Sequence, residues 1–361
     1  MRFSLLLFIS CALAFGAVEE GEVNGAKFRI LKPDNWNGSL VMFCHGYSSN
    51  PSIMSADYVV PFTSRGYAVA MSSYSKGGWA TAEGVEDTEA LRLEFIRRHG
   101  APKETWVSGV SMGGHITLLT IEQKPAVYDG ALPLCGANQS DHSFLSEMFA
   151  NRAVFDYFFP DVLPPLDKVP ADYRATRAAG EAAAKLAEGN TAGVAAMRRL
   201  TGFSDIRQVM GAMLLTTEII GDIQRRAGGN PFDNRAVLYD DPALQKGVKR
   251  YAADEKASAW LLARYQFRGV PMKPVLALQK TMDGLVSSRA TNFYPALAAQ
   301  NGSSRYFVQQ YVEGTGHCTF QPAQIGAAFD ALREWKSTGK QPPAGLIDTQ
   351  MSTSAGSGAR P

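Results

Sequence analysis

The stretch Thr105-Trp106-Val107-Ser108-Gly109-Val110-Ser111-Met112-Gly113-Gly114-His115-Ile116 joins a β-like run to a helix-like run through the pattern G-x-S-x-G. A serine hydroxyl is a poor nucleophile. A sharp strand-to-helix turn presents it where a base can reach it and backbone donors can face its target. Gly109 and Gly113 leave room where a Cβ would collide with neighbouring backbone, and Gly114 lets the following helix pack closely. The helix N-terminus then lies beside Ser111, where free N–H groups favour a developing oxyanion. The same five letters also occur in ordinary glycine-rich turns, so partners elsewhere in the chain decide between a nucleophile elbow and a plain turn.

Upstream, residues 28–33 and 39–44 are β-like runs separated by the turn signal Asp34-Asn35-Trp36-Asn37-Gly38, which predicts an opening antiparallel pair. A loop at 45–51, a helical stretch through Phe62 and a strand at 67–72 follow. A glycine-containing loop at 73–84 leads to an amphipathic helix over 85–98, acidic at its start and basic at its end as the helix dipole favours. Downstream of the serine come a helix over 114–124 and a strand over 130–135. This alternation predicts an α/β fold with a mostly parallel, doubly wound sheet and helices on both faces. Ligands bind such sheets outside the carboxyl ends of the strands, where the glycine-rich loops fall.

From residue 141 to 268 the pattern turns helical, with long segments at 172–188, 205–226 and 241–265 broken by Pro164, Pro165, Pro170, Gly228, Gly229 and Pro231. Strands resume at 275–279 and 305–312, with helices over 287–299 and 322–336. That resumption favours a helical cap inserted over the site rather than an unrelated helical domain. The expected organisation is a signal peptide at 1–17, a core in two parts at 18–140 and 269–338, the cap at 141–268, and a disordered tail at 339–361.

The net charge of +2, with Lys and Arg scattered, gives no basic patch for nucleic acid. Met1-Arg2 followed by an apolar run to Ala14 and the small residues Gly16 and Ala17 predicts a secretory signal, hence a secreted or periplasmic protein without stable membrane association after cleavage. Beyond this leader stand Cys44, Cys135 and Cys318, which allow at most one intramolecular disulfide. Three buried thiols are the favoured reading, and a Cys135–Cys318 bridge is the alternative, since Cys318 adjoins a candidate catalytic histidine and Cys135 ends a predicted strand that points toward the same region. No Cys/His pair has zinc-ligand spacing, so no metal is expected.

A serine nucleophile needs a base, and the chain has five histidines: His45 in the first glycine loop, His99 ending a surface helix, His115 on the helix after the serine, His142 at the start of the insertion, and His317. His317, in Glu313-Gly314-Thr315-Gly316-His317-Cys318, follows the last strand on a glycine loop and is the best base; His142 is its competitor. The acid that orients the base is expected to be Asp283, in Thr281-Met282-Asp283-Gly284, with Asp141 as the alternative and Glu313 a weaker one. Tyr74 and Trp79, in the loop at 74–79, and His142 are expected to touch substrate. Met197, Met210, Met213, Leu214 and Leu215 fit helix core better than an acyl pocket.

The order Ser111, Asp283, His317, the elbow at 109–114 and the loop His45-Gly46-Tyr47 together resemble the α/β-hydrolase superfamily over about residues 25–338. The resemblance places the helical insertion after the family's sixth strand, where the cap sits. It implies an oxyanion hole from the backbone N–H groups of Met112 and Tyr47, and a Ser-His-Asp acyl-enzyme mechanism without a cofactor. The tannase and feruloyl-esterase pattern has cysteines before the serine and after the histidine; here Val110 precedes Ser111, which departs from it. The expected partner is a small-molecule acyl substrate, a carboxylic ester first. A peptidase resembling the prolyl-oligopeptidase relatives, or a hydrolase-like protein that binds without turnover, are the other readings.

Overall fold

The computed structural model describes residues 16–53, 56–264, 266–288 and 290–347. Its elements run β1 (Ala17–Val23), β2 (Ala26–Lys32), β3 (Leu40–Cys44), α1 (Val60–Thr63), β4 (Ala68–Ser72), α2 (Thr81–His99), β5 (Thr105–Val110), α3 (Met112–Gln123) and β6 (Gly130–Leu134). Six helices follow: α4 (Asp141–Phe158), α5 (Arg177–Ala187), α6 (Thr191–Thr201), α7 (Ile206–Ala227), α8 (Pro242–Gly247) and α9 (Glu255–Leu262). Then come β7 (Val275–Met282), α10 (Phe293–Gln300), β8 (Phe307–Thr315), α11 (Pro322–Thr338) and β9 (Gly345–Leu346).

The nine strands found among the described residues form one sheet in the order β1-β2-β4-β3-β5-β6-β7-β8-β9. The pairs β1–β2 and β2–β4 are antiparallel, and every pair from β4–β3 to β8–β9 is parallel. Central strands are apolar on both faces because helices cover both. In β3, Leu40, Met42 and Cys44 join the apolar layer that includes α2 and α3, while Val41 and Phe43 join the layer under α1 and α11. In that second layer Phe329 of α11 meets Phe62, Tyr67 and Trp106 edge-on at centroid distances of 4.9, 5.1 and 5.6 Å. This two-sided burial fixes the strands whose carboxyl ends carry the site.

Several expectations are corrected. The opening antiparallel pair is β1 with β2, not residues 28–33 with 39–44; β3 is instead a central parallel strand, fully buried as its apolar run demands. Ala17, assigned to the leader, opens β1, an edge strand whose exposed glutamates hide its β character. Residues 1–15 of the expected signal peptide lie outside the described residues. Part of the tail is ordered: β9 pairs with the free edge of β8, Ile347 N–H donates to Tyr311 O at 2.9 Å, and Gln310 Nε2 donates to Pro343 O at 2.8 Å. The rest, 348–361, is outside the described residues.

Within the insertion, the single helix expected over 241–265 is two short ones. Between them Asn234 accepts from Tyr251 N–H at 2.6 Å and donates to Lys249 O at 2.9 Å, so side-chain bonds from a distant residue replace helical ones. Helix α6 was not expected; Asn190 caps it by accepting from Gly193 N–H at 2.8 Å. His99, which ends the surface helix α2, packs against Phe95 with ring centroids 4.7 Å apart. Among the described residues no helix is long and apolar enough to cross a membrane.

Candidate active site

Strand β5 ends at Val110, and helix α3 begins at Met112, so Ser111 alone makes the corner, with φ 58° and ψ −124°. Such a left-handed backbone is costly for serine and persists only where surroundings enforce it. They do: a Cβ on Gly113 would fall 2.0 Å from Cys44 O, and one on Gly109 would fall 2.5 Å from both Cys44 O and Gly113 O. Ser111 N–H donates to Leu134 O at 3.0 Å and Ser111 O accepts from His115 N–H at 3.1 Å, which pins the corner to β6 and to its own helix.

The ends of β7 and β8 bring the other two residues. Gly316 N–H donates to Met282 O at 2.9 Å, and Gly314 N–H donates to Thr281 Oγ1 at 3.1 Å, lacing the Asp283 and His317 loops together. The Asp283 side chain is fully buried; its Oδ1 accepts from Leu285 N–H at 2.9 Å and Val286 N–H at 3.0 Å. His317 Nδ1 lies 2.8 and 3.0 Å from the two Asp283 oxygens, and a carboxylate can only accept, so Nδ1 carries the proton. That leaves Nε2 as the acceptor for the Ser111 hydroxyl at 2.8 Å. Serine, base and acid thus form one directed hydrogen-bond chain, able to draw a proton from Ser111 as its oxygen attacks.

The loop after β3 closes the other side. A Cβ on Gly46 would lie 3.3 Å from Ser111 Cβ, so glycine lets the loop meet the serine and brings the Tyr47 backbone alongside. Met112 is the first residue of α3, whose opening N–H groups have no partner within the helix. These two residues, the expected oxyanion donors, both line the chamber beside Ser111.

The remaining expectations divide. Trp79 does line the chamber beside Ser111, together with Tyr47, Met112, Phe144, Met148 and Leu215. Its indole N–H donates to Asp141 at 3.0 Å, and its ring stacks on Phe144 at 5.7 Å. Tyr74 does not reach the chamber. It is 1% exposed, stacks on His45 at 3.9 Å and donates its hydroxyl to His45 O at 3.1 Å, so it supports the Gly46 loop from beneath. Burial pushes the His45 imidazole below its ordinary value.

His142 is half-buried on the first turn of α4 and is not among the chamber's lining residues. Burial lowers its pKa. Asp141, the alternative acid, is paired elsewhere: its Oδ1 lies 3.0 Å from His115 Nε2 and its Oδ2 accepts from Thr81 Oγ1 at 2.9 Å. Burial pushes the Asp141 carboxyl up, but the His115 ring and the Trp79 and Thr81 donors outweigh it and hold it below the usual carboxylate range. Glu313 is exposed on β8.

The favoured reading of three free thiols is overturned: Cys135 and Cys318 form a disulfide with Cα atoms 5.3 Å apart, joining the end of β6 to the residue after His317. Among the described residues Cys44 is the one free cysteine; burial pushes its thiol up to about 11.

The chamber holds about 20 Å³, room for about one water. It shares Phe144, Met148 and Leu285 with a larger cavity of about 250 Å³ between α4, α6, α7 and residues 284–287. Sequence reasoning missed three of the chamber's walls from the insertion, Phe144 and Met148 on α4 and Ile219 on α7, and assigned the fourth, Leu215 on α7, to helix core. Each pair has i, i+4 spacing, the one available signal, and helix packing gives the same signal. Among the described residues, no group of three or more His, Cys, Asp or Glu side chains could hold a metal.

No protein-family model matches the chain. It is similar to the o-phthalyl amidase of Xanthobacter agilis, with 22% identity over 88% of this chain and 87% of that protein. Among solved structures it is similar to an esterase from Aspergillus oryzae, with a TM-score of 0.50 and 14% identity over 88% of this chain and 78% of that one. It is also similar to an esterase/lipase from an uncultured bacterium, with a TM-score of 0.48 and 12% identity over 89% of this chain and 85% of that one.

Proposed function

We propose that this chain, which has the fold of the α/β-hydrolases, is a serine hydrolase that cleaves acyl bonds through an acyl-enzyme on Ser111. The single observation that carries this reading is the hydrogen-bond chain from Ser111 Oγ to His317 Nε2, at 2.8 Å, and from His317 Nδ1 to Asp283, at 2.8 Å. Ser111 Oγ attacks the acyl carbon while Nε2 takes its proton. Asp283 holds the ring and stabilises its charged form. The N–H groups of Met112 and Tyr47 receive the oxyanion. His317 then protonates the leaving group, and a water that it activates releases the acyl chain.

The chamber beside Ser111 is bounded by Trp79, Phe144, Met148, Leu215, Ile219, Leu285 and Val286, without a charged side chain, so the group it receives is compact and uncharged. A carboxylic ester makes the smallest demand on leaving-group protonation and is the first substrate class. The likeness to an amidase over 88% of the chain supports an amide as the second. In this reading the helices between β6 and β7 act as the substrate cap, supported by the chamber walls that α4 and α7 supply. The disulfide supports an oxidising compartment, consistent with a secreted or periplasmic protein.

Steady-state kinetics on matched esters and amides of graded acyl size test the proposal. Ser111→Ala is expected to lower turnover by roughly 10³-fold or more on every substrate cleaved. Full activity in Ser111→Ala overturns it. Amides turned over faster than their matched esters would make the second substrate class the first.

A further inference from the structure

We propose that helix α7 of the insertion positions the oxyanion hole, through two buried carboxylates, Glu218 and Asp222, that grip the loops on either side of it. The inference rests on the reading of the Tyr47 N–H as an oxyanion donor. Tyr47 lies between Gly46, which abuts Ser111, and Ser48, which forms a β-bridge with Gly78; Gly78 N–H donates to Ser48 O at 2.8 Å. The two loops touch through their backbones: a Cβ on Gly77 would fall 2.3 Å from Ser49 O. One face of α7 then holds both. Ser49 Oγ donates to Glu218 Oε1, whose other oxygen accepts from Ala175 N–H at 2.7 Å. Asp222 Oδ2 accepts from Trp79 N–H at 2.8 Å and from Arg226 Nε at 2.9 Å. Arg226 in turn donates to Gly77 O at 2.5 Å and to Glu83 at 3.1 Å.

The contact is tight enough to dictate sequence. Gly78 has φ +81°, and a Cβ there would sit 2.2 Å from Asp222 Oδ2. Glu218 and Asp222 are only 4% and 9% exposed, and two carboxylates one helical turn apart are expensive to bury unless their partners need them there. Among those partners are Ser49 Oγ and Trp79 N–H, on the loops that carry Tyr47 and Trp79. The same helix presents Leu215 and Ile219 to the chamber, so a shift of α7 moves the oxyanion loop and the acyl wall together. On this account the insertion completes the catalytic machinery as well as roofing it.

Ser49→Ala, Glu218→Ala, their double variant, Asp222→Ala and Asp222→Asn, made in the full chain, test this by kcat, KM, rate of fluorophosphonate labelling and thermal melting. Misplaced oxyanion donors cost about 10- to 100-fold. Ser49→Ala and Glu218→Ala are therefore each expected to lower kcat about tenfold with KM within about twofold, and the double variant to fall no further than Glu218→Ala, since both remove the Ser49–Glu218 bond. Asp222→Ala should lose about 100-fold, and Asp222→Asn, which keeps an acceptor for Trp79 N–H, should recover most of it. Asp254→Ala is the structural control: it removes the Asp254–Asn230 N–H bond of 2.7 Å elsewhere in the insertion, and should lower the melting temperature while leaving kcat unchanged. Ser49 is exposed, so its variant carries the test even if Asp222→Ala does not fold. Wild-type kcat in Ser49→Ala and Glu218→Ala, beside Ser111-dependent turnover in the parent, overturns this proposal alone. Absence of Ser111-dependent turnover in the parent overturns both it and the hydrolase reading.

Discussion

Among the described residues stand two His–Asp pairs built from the same chemistry and set in different surroundings. His317 and Asp283 sit at the ends of β8 and β7; His115 and Asp141 sit one turn into α3 and at the first residue of α4. Both have a ring nitrogen about one hydrogen bond from a carboxylate, at 2.8 and 3.0 Å. They differ in what the second nitrogen meets. For His317 it is the Ser111 hydroxyl, which can give up a proton, and the ring is 19% exposed. For His115 it is the Ala137 carbonyl at 2.7 Å, which cannot, and the ring is 0% exposed. The Asp141 pair instead ties α3, α4, Thr81 and Trp79 into one buried knot. A His–Asp pair marks a site only when its far nitrogen faces a reactive group beside open space.

The sharpest way to break this comparison is to cut both pairs with the same substitution. Asp283→Asn is expected to lower kcat by about 10³- to 10⁴-fold with little loss of stability, because the ring loses its orientation and charge partner. Asp141→Asn is expected to do the reverse, leaving kcat within a few-fold while denaturant melts show a loss of about 3 kcal/mol from a broken buried pair. Comparable kcat losses in two folded variants would erase the distinction.

The disulfide sharpens the comparison, since it touches one pair only. Reducing Cys135–Cys318, or replacing both with Ser, is expected to lower kcat about tenfold through the loosened His317 loop, a misplacement effect. The same change removes about 3 kcal/mol of stability. Thiol titration alongside kinetics checks that activity tracks reduction.

The smallest effect is a pH dependence confined to the buried pair. The Asp141 carboxyl is held below its ordinary value in the folded chain, so its contribution is fully present above the unfolded carboxylate pKa and is lost as pH falls through the folded one. The stability gap between wild type and Asp141→Asn should therefore close as pH falls from about 5 toward 2, measured by denaturant unfolding at each pH. A gap that stays constant contradicts the pairing.

Local chemistry made much of the fold and site legible. The elbow at Ser111 announces itself through glycines that the fold needs, and the placement of Asp283 and His317 after successive strands follows from a parallel sheet. What escaped depends on partners distant in sequence. β1 and β9 exist because the sheet has edges, and neither has an apolar pattern of its own. Tyr74 looks like an exposed loop aromatic until His45 is seen stacked on it. Leu215 read as helix core because apolar spacing on α7 serves packing and a pocket equally well. Glu218 and Asp222 carry no signal of their role in the sequence, since Ser49 and Trp79, their partners, lie more than 140 residues upstream.

The central claim, that Ser111 is the nucleophile of the open pair, is tested most directly by a fluorophosphonate probe followed by peptide mapping. The account predicts a single phosphonylated serine, Ser111, with labelling abolished in Ser111→Ala, slowed by orders of magnitude in His317→Ala, and near wild-type rate in Asp141→Asn. No labelling of the folded protein, or labelling at another serine with Ser111 unmodified, would contradict it.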